Sequence, residues 1–238
     1  MFFESVSRTD IGRRRRLNED AVLCRPDLGL WAVADGMGGH DCGEVASALV
    51  VEVLAEAGPN DDLAARTKAA QDALEGANTR LVELARSTPE RRTIGATVVL
   101  LAAEAAAFSC LWAGDSRAYR ARAGSLSRLT SDHSLVQQLV DAGVLDPAEA
   151  ETHPNANVIT RAVGANPALV LDSVHGDVVA GDVFLLASDG LTRLVSDQEI
   201  LQGLAIDDLA AAADRFITAA LDRGAPDNVS LVMVRALA

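Results

Sequence analysis

Four aspartates lie at or beside the ends of apolar runs, and each is followed by Gly, Ser or Asn: Asp35, Asp115, Asp189 and Asp227. Short apolar runs that stop in this way are typical of buried strands that end in turns. We therefore expect rigid elements to deliver these carboxylates to a common rim. Gathered carboxylates repel one another, and a divalent cation relieves that repulsion. Oxygen ligands of this kind favour a hard cation such as Mg²⁺ or Mn²⁺.

Any one of these sequences could be a simple turn, because glycine accepts a positive φ and Asp hydrogen-bonds to its own backbone. Four in the same setting favour a metal site. The cluster Asn18-Glu19-Asp20 adds two carboxylates as further ligands or as neighbours of the ligands. The nearby run Arg13 to Arg16 has two interpretations, a solvated basic strand edge or a holder for a phosphoryl group beside the acidic rim.

Composition bounds the class of protein. The chain has 238 residues, 49% of them hydrophobic, which suits a single domain over residues 1–238 with one sizeable core. A formal net charge of −13 argues against nucleic acid as a partner. Three scattered cysteines indicate neither disulfides nor a zinc site. With no long apolar stretch and no signal-peptide pattern, we expect a cytoplasmic protein without membrane insertion.

The hydrophobic pattern along the chain predicts the elements that must position these residues. Strands come in groups and helices come in pairs, which favours an α+β fold of two stacked sheets flanked by helical layers over alternating βαβ units. Residues 131–167 have mixed composition and predict an excursion over the metal rim. The predicted strands are 2–8, 21–34, 93–103, 106–113, 117–122, 126–129, 174–179, 183–187 and 229–235, and the predicted helices are 44–56, 62–85, 135–140, 197–204 and 208–221.

Several other phosphoryl-transfer designs do not fit the sequence. A P-loop would need Gly-x-x-x-x-Gly-Lys-Ser/Thr, which does not occur. The four histidines are not paired at ligand spacing, and no Asp-x-Asp-x-Thr follows an early strand. A carboxylate-only binuclear centre that activates water remains.

Seven motifs together resemble the bacterial branch of the metal-dependent protein serine/threonine phosphatases, the type 2C (PPM) family. They occur in the family's order and span the chain almost from end to end. The resemblance implies a four-layer α-β-β-α sandwich with two central antiparallel sheets, and hydrolysis of phosphoserine and phosphothreonine in proteins. The motifs occupy residues 15–20, 33–40, 95–97, 113–119, 129–134, 187–191 and 227–230.

The resemblance also assigns roles to the metal-binding candidates. Asp35 would bridge two Mn²⁺ or Mg²⁺ ions, and the Gly36 carbonyl would ligate one of them. Asp189 and Asp227 would hold the first ion, and Glu19 would sit at the second, directly or through water. Asp20 stands beside Glu19 among the candidate ligands. Asp115 resembles the ligand of a third, weaker ion, with a purely structural role in its turn as the alternative.

The remaining roles concern the phosphoryl group and the proton. Arg15 would grip the phosphoryl oxygens in a bidentate way, while two cations lower the pKa of a shared water that attacks phosphorus. In animal relatives a His directly after the bridging Asp-Gly is taken as the general acid, but Met37 holds that place here. His40 is the available imidazole, with helix capping as its alternative role and a metal-bound water as the alternative acid.

The resemblance extends to partners. It implies phosphorylated proteins as substrates and a bacterial Ser/Thr kinase as counterpart. The segment 31–40 is also similar to phosphatases of type VI secretion control. In relatives the 131–167 excursion forms a flap beside the active site, and an inert surface helix and loop is the alternative. Two rival functions stay open, a catalytically weak regulatory module and a small-molecule phosphomonoesterase.

Overall fold

The structure is a computed structural model that describes residues 2–38, 42–58, 62–87 and 93–238. In these residues the strands form two antiparallel sheets. The five-stranded sheet has the order β1-β11-β10-β7-β8, and the other has the order β2-β3-β5-β6-β9 with the short β4 paired to β3. The strands are β1 Phe2–Asp10, β2 Asp20–Arg25, β3 Leu30–Met37, β4 Gly95–Ala96, β5 Val98–Glu104, β6 Ala107–Ala113, β7 Arg117–Arg122, β8 Ser125–Arg128, β9 Asp172–Asp177, β10 Val183–Ala187 and β11 Val229–Leu237.

The helices fall into two pairs and two short elements. The long helices α1 Cys42–Glu56 and α2 Leu63–Ser87 follow β3, whereas α5 Asp197–Leu204 and α6 Leu209–Asp222 precede β11. The shorter α3 Leu135–Asp141 and α4 Asp189–Thr192 lie between them, and a 3₁₀ helix spans Pro147–Thr152. No helix of the described ranges is both long and apolar enough to cross a bilayer.

Three apolar clusters establish the layer order. The first packs α1 and α2 on the β3-β5 sheet, with Leu74 and Leu100 fully buried. The second packs α5 and α6 on the five-stranded sheet around Phe216 and Leu185. The third lies between the two sheets and contains Trp31. The predicted four-layer α-β-β-α sandwich of the α+β class is confirmed.

Most predicted elements are confirmed within a few residues, but the strand predicted at 21–34 is wrong. It is a hairpin, because the chain turns at Pro26–Gly29 between β2 and β3. The Leu28 N–H donates to the Arg25 carbonyl at 3.0 Å, and Gly29 adopts a left-handed φ of 59°. The turn brings the start of β2 back beside the end of β3, which matters for the site.

The excursion predicted at 131–167 contains α3 and the 3₁₀ helix, and both of its ends are tied to the core. An isolated bridge joins Ala96 of β4 to Val163 near the end of the excursion, and a second bridge, Ser134 to Ile159, joins the two ends of the excursion to each other. At its start, Arg117 binds Asp132 with a shortest distance of 2.8 Å from Nη2 to Oδ2. We call residues 131–167 the flap below. The three cysteines are free thiols.

Candidate metal centre

The acidic residues converge because of strand register. Asp20 at the start of β2 lies directly opposite Asp35 near the end of β3. In the other sheet, Ala187 at the end of β10 pairs with Leu231 near the start of β11. Asp189, just after β10, and Asp227, just before β11, therefore reach the same end of the sandwich. The rim is built from both sheets.

The backbone of Asp35 is fixed by two hydrogen bonds with Thr97. Its N–H donates to the Thr97 hydroxyl at 3.2 Å, and the Thr97 N–H donates to its carbonyl at 2.8 Å. Thr97 also shares a hydrogen bond of 2.8 Å with Ser116, beside Asp115. One hydroxyl thus connects the two motifs that carry Asp35 and Asp115.

Gly36 is packed too closely for any side chain. A Cβ there would lie 2.0 Å from the Gly43 carbonyl oxygen and 2.6 Å from that of Glu19. The Glu19 carboxylate in turn lies against Gly43 in the first turn of α1, where a Cβ would be 2.3 Å from Oε1. These contacts hold the Gly36 backbone, the Glu19 loop and the start of α1 together.

Asp20 lies between the two sheets and is held by serines. The Ser188 hydroxyl donates to its Oδ2 at 2.9 Å, and the Ser230 N–H donates to the Ser188 hydroxyl at 3.0 Å. Ser188 precedes Asp189, so the same segment that presents Asp189 also orients Asp20. The contact joins β2 of one sheet to β10 and β11 of the other.

The rim carboxyls share an unfavourable electrostatic environment. Burial raises the pKa of Asp35 well above its ordinary value, and the charges of Asp20 and Asp189 raise it further. Burial likewise raises the pKa of Asp20 to about 7 and that of Asp115 to about 7. The pKa of Asp189 is raised by burial, partly offset by Arg193. Clustered, desolvated carboxylates are the groups that a divalent cation stabilises.

Asp115 sits in a tight turn after β6 and is 5% exposed. Gly114 has φ 121°, and a Cβ there would lie 2.5 Å from Cβ of Thr97, so glycine is required for this approach. The Gly114 N–H donates to Nδ1 of His133 at 3.2 Å, and the His133 N–H donates to the Gly114 carbonyl at 2.9 Å. Oδ1 of Asp115 is buried and has no hydrogen-bond partner among the residues that the structure describes.

Arg193 is a rim residue that the sequence analysis did not find. Its Nη2 lies 3.0 Å from Oδ2 of Asp189 and 3.3 Å from Oδ2 of Asp115. The spacing of four residues from Asp189 on a helical turn is a signal that could have suggested an ion pair. The second partner, Asp115, is 78 positions away in sequence and is visible only in the fold.

Arg15 also contacts rim carboxylates. Its Nη2 donates to Oδ2 of Asp227 at 2.7 Å, and its Nη1 lies 3.7 Å from Oε2 of Glu19. The Arg15 side chain is 46% exposed, whereas that of Glu19 is 18% exposed. The guanidinium is therefore anchored at the rim with one side toward solvent.

Asn228 fastens the loop that carries Arg15 and Glu19, a role that the sequence analysis also missed. Its amide donates to the carbonyls of Ile11 and Leu17, both at 2.9 Å. Its Oδ1 accepts the Glu19 N–H at 2.8 Å. The Asp-Asn motif before β11 thus positions the Arg-rich loop near the other end of the sequence.

The carboxylate oxygens of the rim are ligands that hard cations prefer, although they do not surround a single point. In the described parts of the chain, no three His, Cys, Asp or Glu side chains form a ready-made cage. Two arginines pair with these carboxylates instead, since Arg15 engages Asp227 while Arg193 engages Asp115 and Asp189. One Asp115 oxygen has no hydrogen-bond partner within the described ranges, and the pKa values of the buried carboxyls are raised. Both observations indicate uncompensated negative charge, which Mg²⁺ or Mn²⁺ would match.

The structure brings most of the predicted site residues to this rim and does not describe one of them. His40 lies outside the described residues, so the proposed general acid stays a prediction. A cavity of about 690 Å³ adjoins the rim and has residues of the core and of the flap in its walls. Its lining includes Asp115, Asp189, Arg193, Asp132, Val136 and Pro147.

Fold and site together define a phosphatase class. Residues 12–237 match the protein phosphatase 2C family. The chain belongs to this family, as the sequence motifs predicted.

Individual relatives are similar along the whole domain. The serine/threonine protein phosphatase PstP of Mycobacterium tuberculosis is 40% identical over 96% of the chain, which spans 44% of that curated relative's length. PppA, described as a key regulatory component of T6SS in Pseudomonas aeruginosa, superposes with a TM-score of 0.92 at 41% identity, covering 100% of this chain and 99% of PppA. A PstP catalytic domain in complex with two manganese ions gives a TM-score of 0.88 at 36% identity, covering 99% of each chain.

Proposed function

We propose that this chain is a metal-dependent phosphatase that hydrolyses phosphoserine and phosphothreonine in proteins. Family membership supports the reaction class, and the name of the relative PstP supports the substrate class. The observation that carries the proposal is the rim itself, where buried carboxyls from both sheets crowd together with raised pKa values.

The family resemblance assigns the metal ligands, and the position of these residues at one rim supports the assignment. Asp35 would bridge two Mn²⁺ or Mg²⁺ ions, with the Gly36 carbonyl beside it, Asp189 and Asp227 on one side and Glu19 on the other. The two manganese ions of the similar PstP domain support this number. When bound, such ions supply Lewis acidity that activates water as a nucleophile near neutral pH.

The chain's own residues would orient the phosphoryl group. Arg15 uses only part of its five N–H donors on Asp227, and its exposed side can donate to phosphoryl oxygens in the planar geometry that suits guanidinium. Asp20 would act behind the ligands, since Ser188 holds it in place. The cavity between the rim and the flap offers a path for a phosphorylated segment.

The test compares substrates on one preparation. With Mn²⁺ present, we expect turnover of a phosphothreonine peptide at a much higher kcat/KM than small phosphate esters, and complete loss of both with a chelator. Preference for small esters would favour the phosphomonoesterase alternative. Metal binding without turnover of any ester would favour the regulatory module.

Arg15 has a matched control in the same loop. Arg15→Ala should raise KM for phosphopeptide and also lower kcat, because a phosphoryl contact is lost in both the bound and the transition state. Arg14 is exposed in the same basic run, so Arg14→Ala should change little. Equal effects of the two substitutions would indicate general electrostatics and contradict the role of Arg15.

The wider setting is also proposed. We infer a bacterial Ser/Thr kinase and its substrates as the physiological counterparts, since PstP-like phosphatases act on the same phosphorylated residues that such kinases produce. The likeness to PppA supports a role in type VI secretion, which stays a prediction, as does the cytoplasmic location.

A further inference from the structure

The guanidinium of Arg193 lies between two rim carboxylates, a position that favours a positive charge. Arg193 caps the C-terminal end of α4, and its Nη2 lies between Oδ2 of Asp189 at 3.0 Å and Oδ2 of Asp115 at 3.3 Å. Asp115 is almost fully buried, while the arginine side chain is 33% exposed. The guanidinium therefore neutralises the two carboxylates from the solvent side.

The same guanidinium also contacts the flap. Its Nη1 donates to Oδ1 of Asn157, and its Nη2 lies 3.5 Å from the Ala156 carbonyl. Both partners belong to the turn segment 153–158, which we call the flap loop. One side chain thus joins two rim carboxylates to the flap loop.

The pairing of Arg193 with the rim carboxylates and its contact with the flap loop are linked by electrostatic repulsion. The family resemblance assigns a third, weaker metal ion to Asp115 and the first ion to Asp189. A divalent cation bound between their oxygens would lie within a few ångströms of the Arg193 guanidinium, where like charges in a partly buried setting repel strongly. Metal binding at this pair and the Arg193 contacts therefore exclude each other.

We propose that Arg193 is an internal counter-cation that competes with a metal ion for Asp115 and Asp189, and that its displacement releases the flap loop. The proposal rests on the proposed metal centre and adds regulation to it. Because coupling between two sites is reciprocal, a cation that frees the flap loop must itself bind more tightly when the loop contact is absent.

Metal binding gives the first test. Mn²⁺ bound per chain is measured by equilibrium dialysis over a range of Mn²⁺ concentrations for wild type and Arg193→Met, with Arg215→Met as the control on the exposed face of α6. We expect the weakest ion to bind Arg193→Met about tenfold or more tightly than wild type, with Arg215→Met unchanged. The competition would be overturned if Arg193→Met bound the weakest ion with wild-type affinity. It would also be overturned if every protein bound two ions and no third.

The flap loop gives the second test, which does not depend on activity. Hydrogen exchange of a peptide covering residues 153–158 should lose protection in metal-free Arg193→Met, and in wild type as the weakest Mn²⁺ binds. Asp115→Asn should abolish the Mn²⁺-dependent loss. Exchange that is indifferent to both Mn²⁺ and Arg193→Met would overturn the coupling.

Two controls separate this proposal from its neighbours. Arg193→Lys keeps the charge and should keep the weak third affinity near wild type, and melting temperatures confirm that each variant is folded. Tighter Mn²⁺ binding by Arg193→Met in a protein without phosphopeptide turnover would retain the competition and overturn only the proposed function.

Discussion

Replacing Asn228 by alanine removes three hydrogen bonds from one buried side chain. The Asn228 amide holds the carbonyls of Ile11 and Leu17, and its oxygen holds the Glu19 N–H, all at 2.8 to 2.9 Å. Asn228 is 4% exposed, so water replaces these partners poorly. Each such bond contributes about 1 kcal/mol net, which gives a loss of roughly 2–4 kcal/mol in the free energy of unfolding.

The loop should also lose its position. Arg15 and Glu19 lie on the segment that Asn228 fastens, while the Arg13 N–H bond to Ala225 remains at 2.8 Å. We therefore expect Asn228→Ala to lower kcat/KM for phosphopeptide even at temperatures where the variant is fully folded. Asn228→Asp should lower the free energy of unfolding at least as much, because a carboxylate oxygen would then face the carbonyls of Ile11 and Leu17, and all of these oxygens are acceptors.

Equilibrium urea unfolding in the presence of chelator measures the stability change, with the m-value showing whether the transition stays two-state. Asn155→Ala is the matched control, since Asn155 is exposed in the flap loop, and its effect should stay within about 0.5 kcal/mol. A loss below about 1 kcal/mol for Asn228→Ala, with normal turnover, would refute the fastening role.

Three further predictions concern the rim. Burial holds the pKa of Asp20 and of Asp115 at about 7, whereas the unfolded chain gives up these protons near pH 4. Between these pH values the folded state therefore binds more protons than the unfolded chain, so the melting temperature in chelator should fall from pH 5 to pH 8. Saturating Mn²⁺ should remove that fall. A melting temperature that rises with pH would contradict the burial argument. Asp35→Asn should raise the melting temperature in chelator at pH 8 yet lower turnover by roughly 10²-fold or more, which combined calorimetry and kinetics would check. Gly36→Ala should lower the free energy of unfolding in urea by about 1–3 kcal/mol, because the new Cβ would meet the Gly43 carbonyl. An unchanged free energy of unfolding would show that α1 moves freely.

The sequence predicted the layers and most strands because burial on two faces leaves apolar runs that end at recognisable turns. It predicted one strand where β2 and β3 form a hairpin, although Pro26-Asp27-Leu28-Gly29 is a turn signal in its own right. The short α4 after Asp189 was not predicted either, because four residues carry no periodicity.

The acidic residues could be named from sequence because each ends or begins an apolar run. The residues that hold them could not. Asn228 acts on a loop 209 to 217 positions away, and Arg193 meets Asp115 across 78 positions, so both roles depend on strand register in three dimensions. The ligand roles themselves, and that of His40, remain predictions for the experiments above.

The placement of β11 has a consequence for how the protein is made. β11 lies between β1 and β10, so β1 has no partner in its sheet until residues near 229–237 have left the ribosome. Glu19 and Asn228 are 209 positions apart, which at bacterial and eukaryotic synthesis rates is a delay of about 10 to 40 s. Throughout that interval the Arg-rich loop lacks its hydrogen bonds to Asn228, and Asp227 does not yet exist beside it. The nascent chain therefore exposes an unpaired strand, and its acidic rim is complete only when β11 inserts.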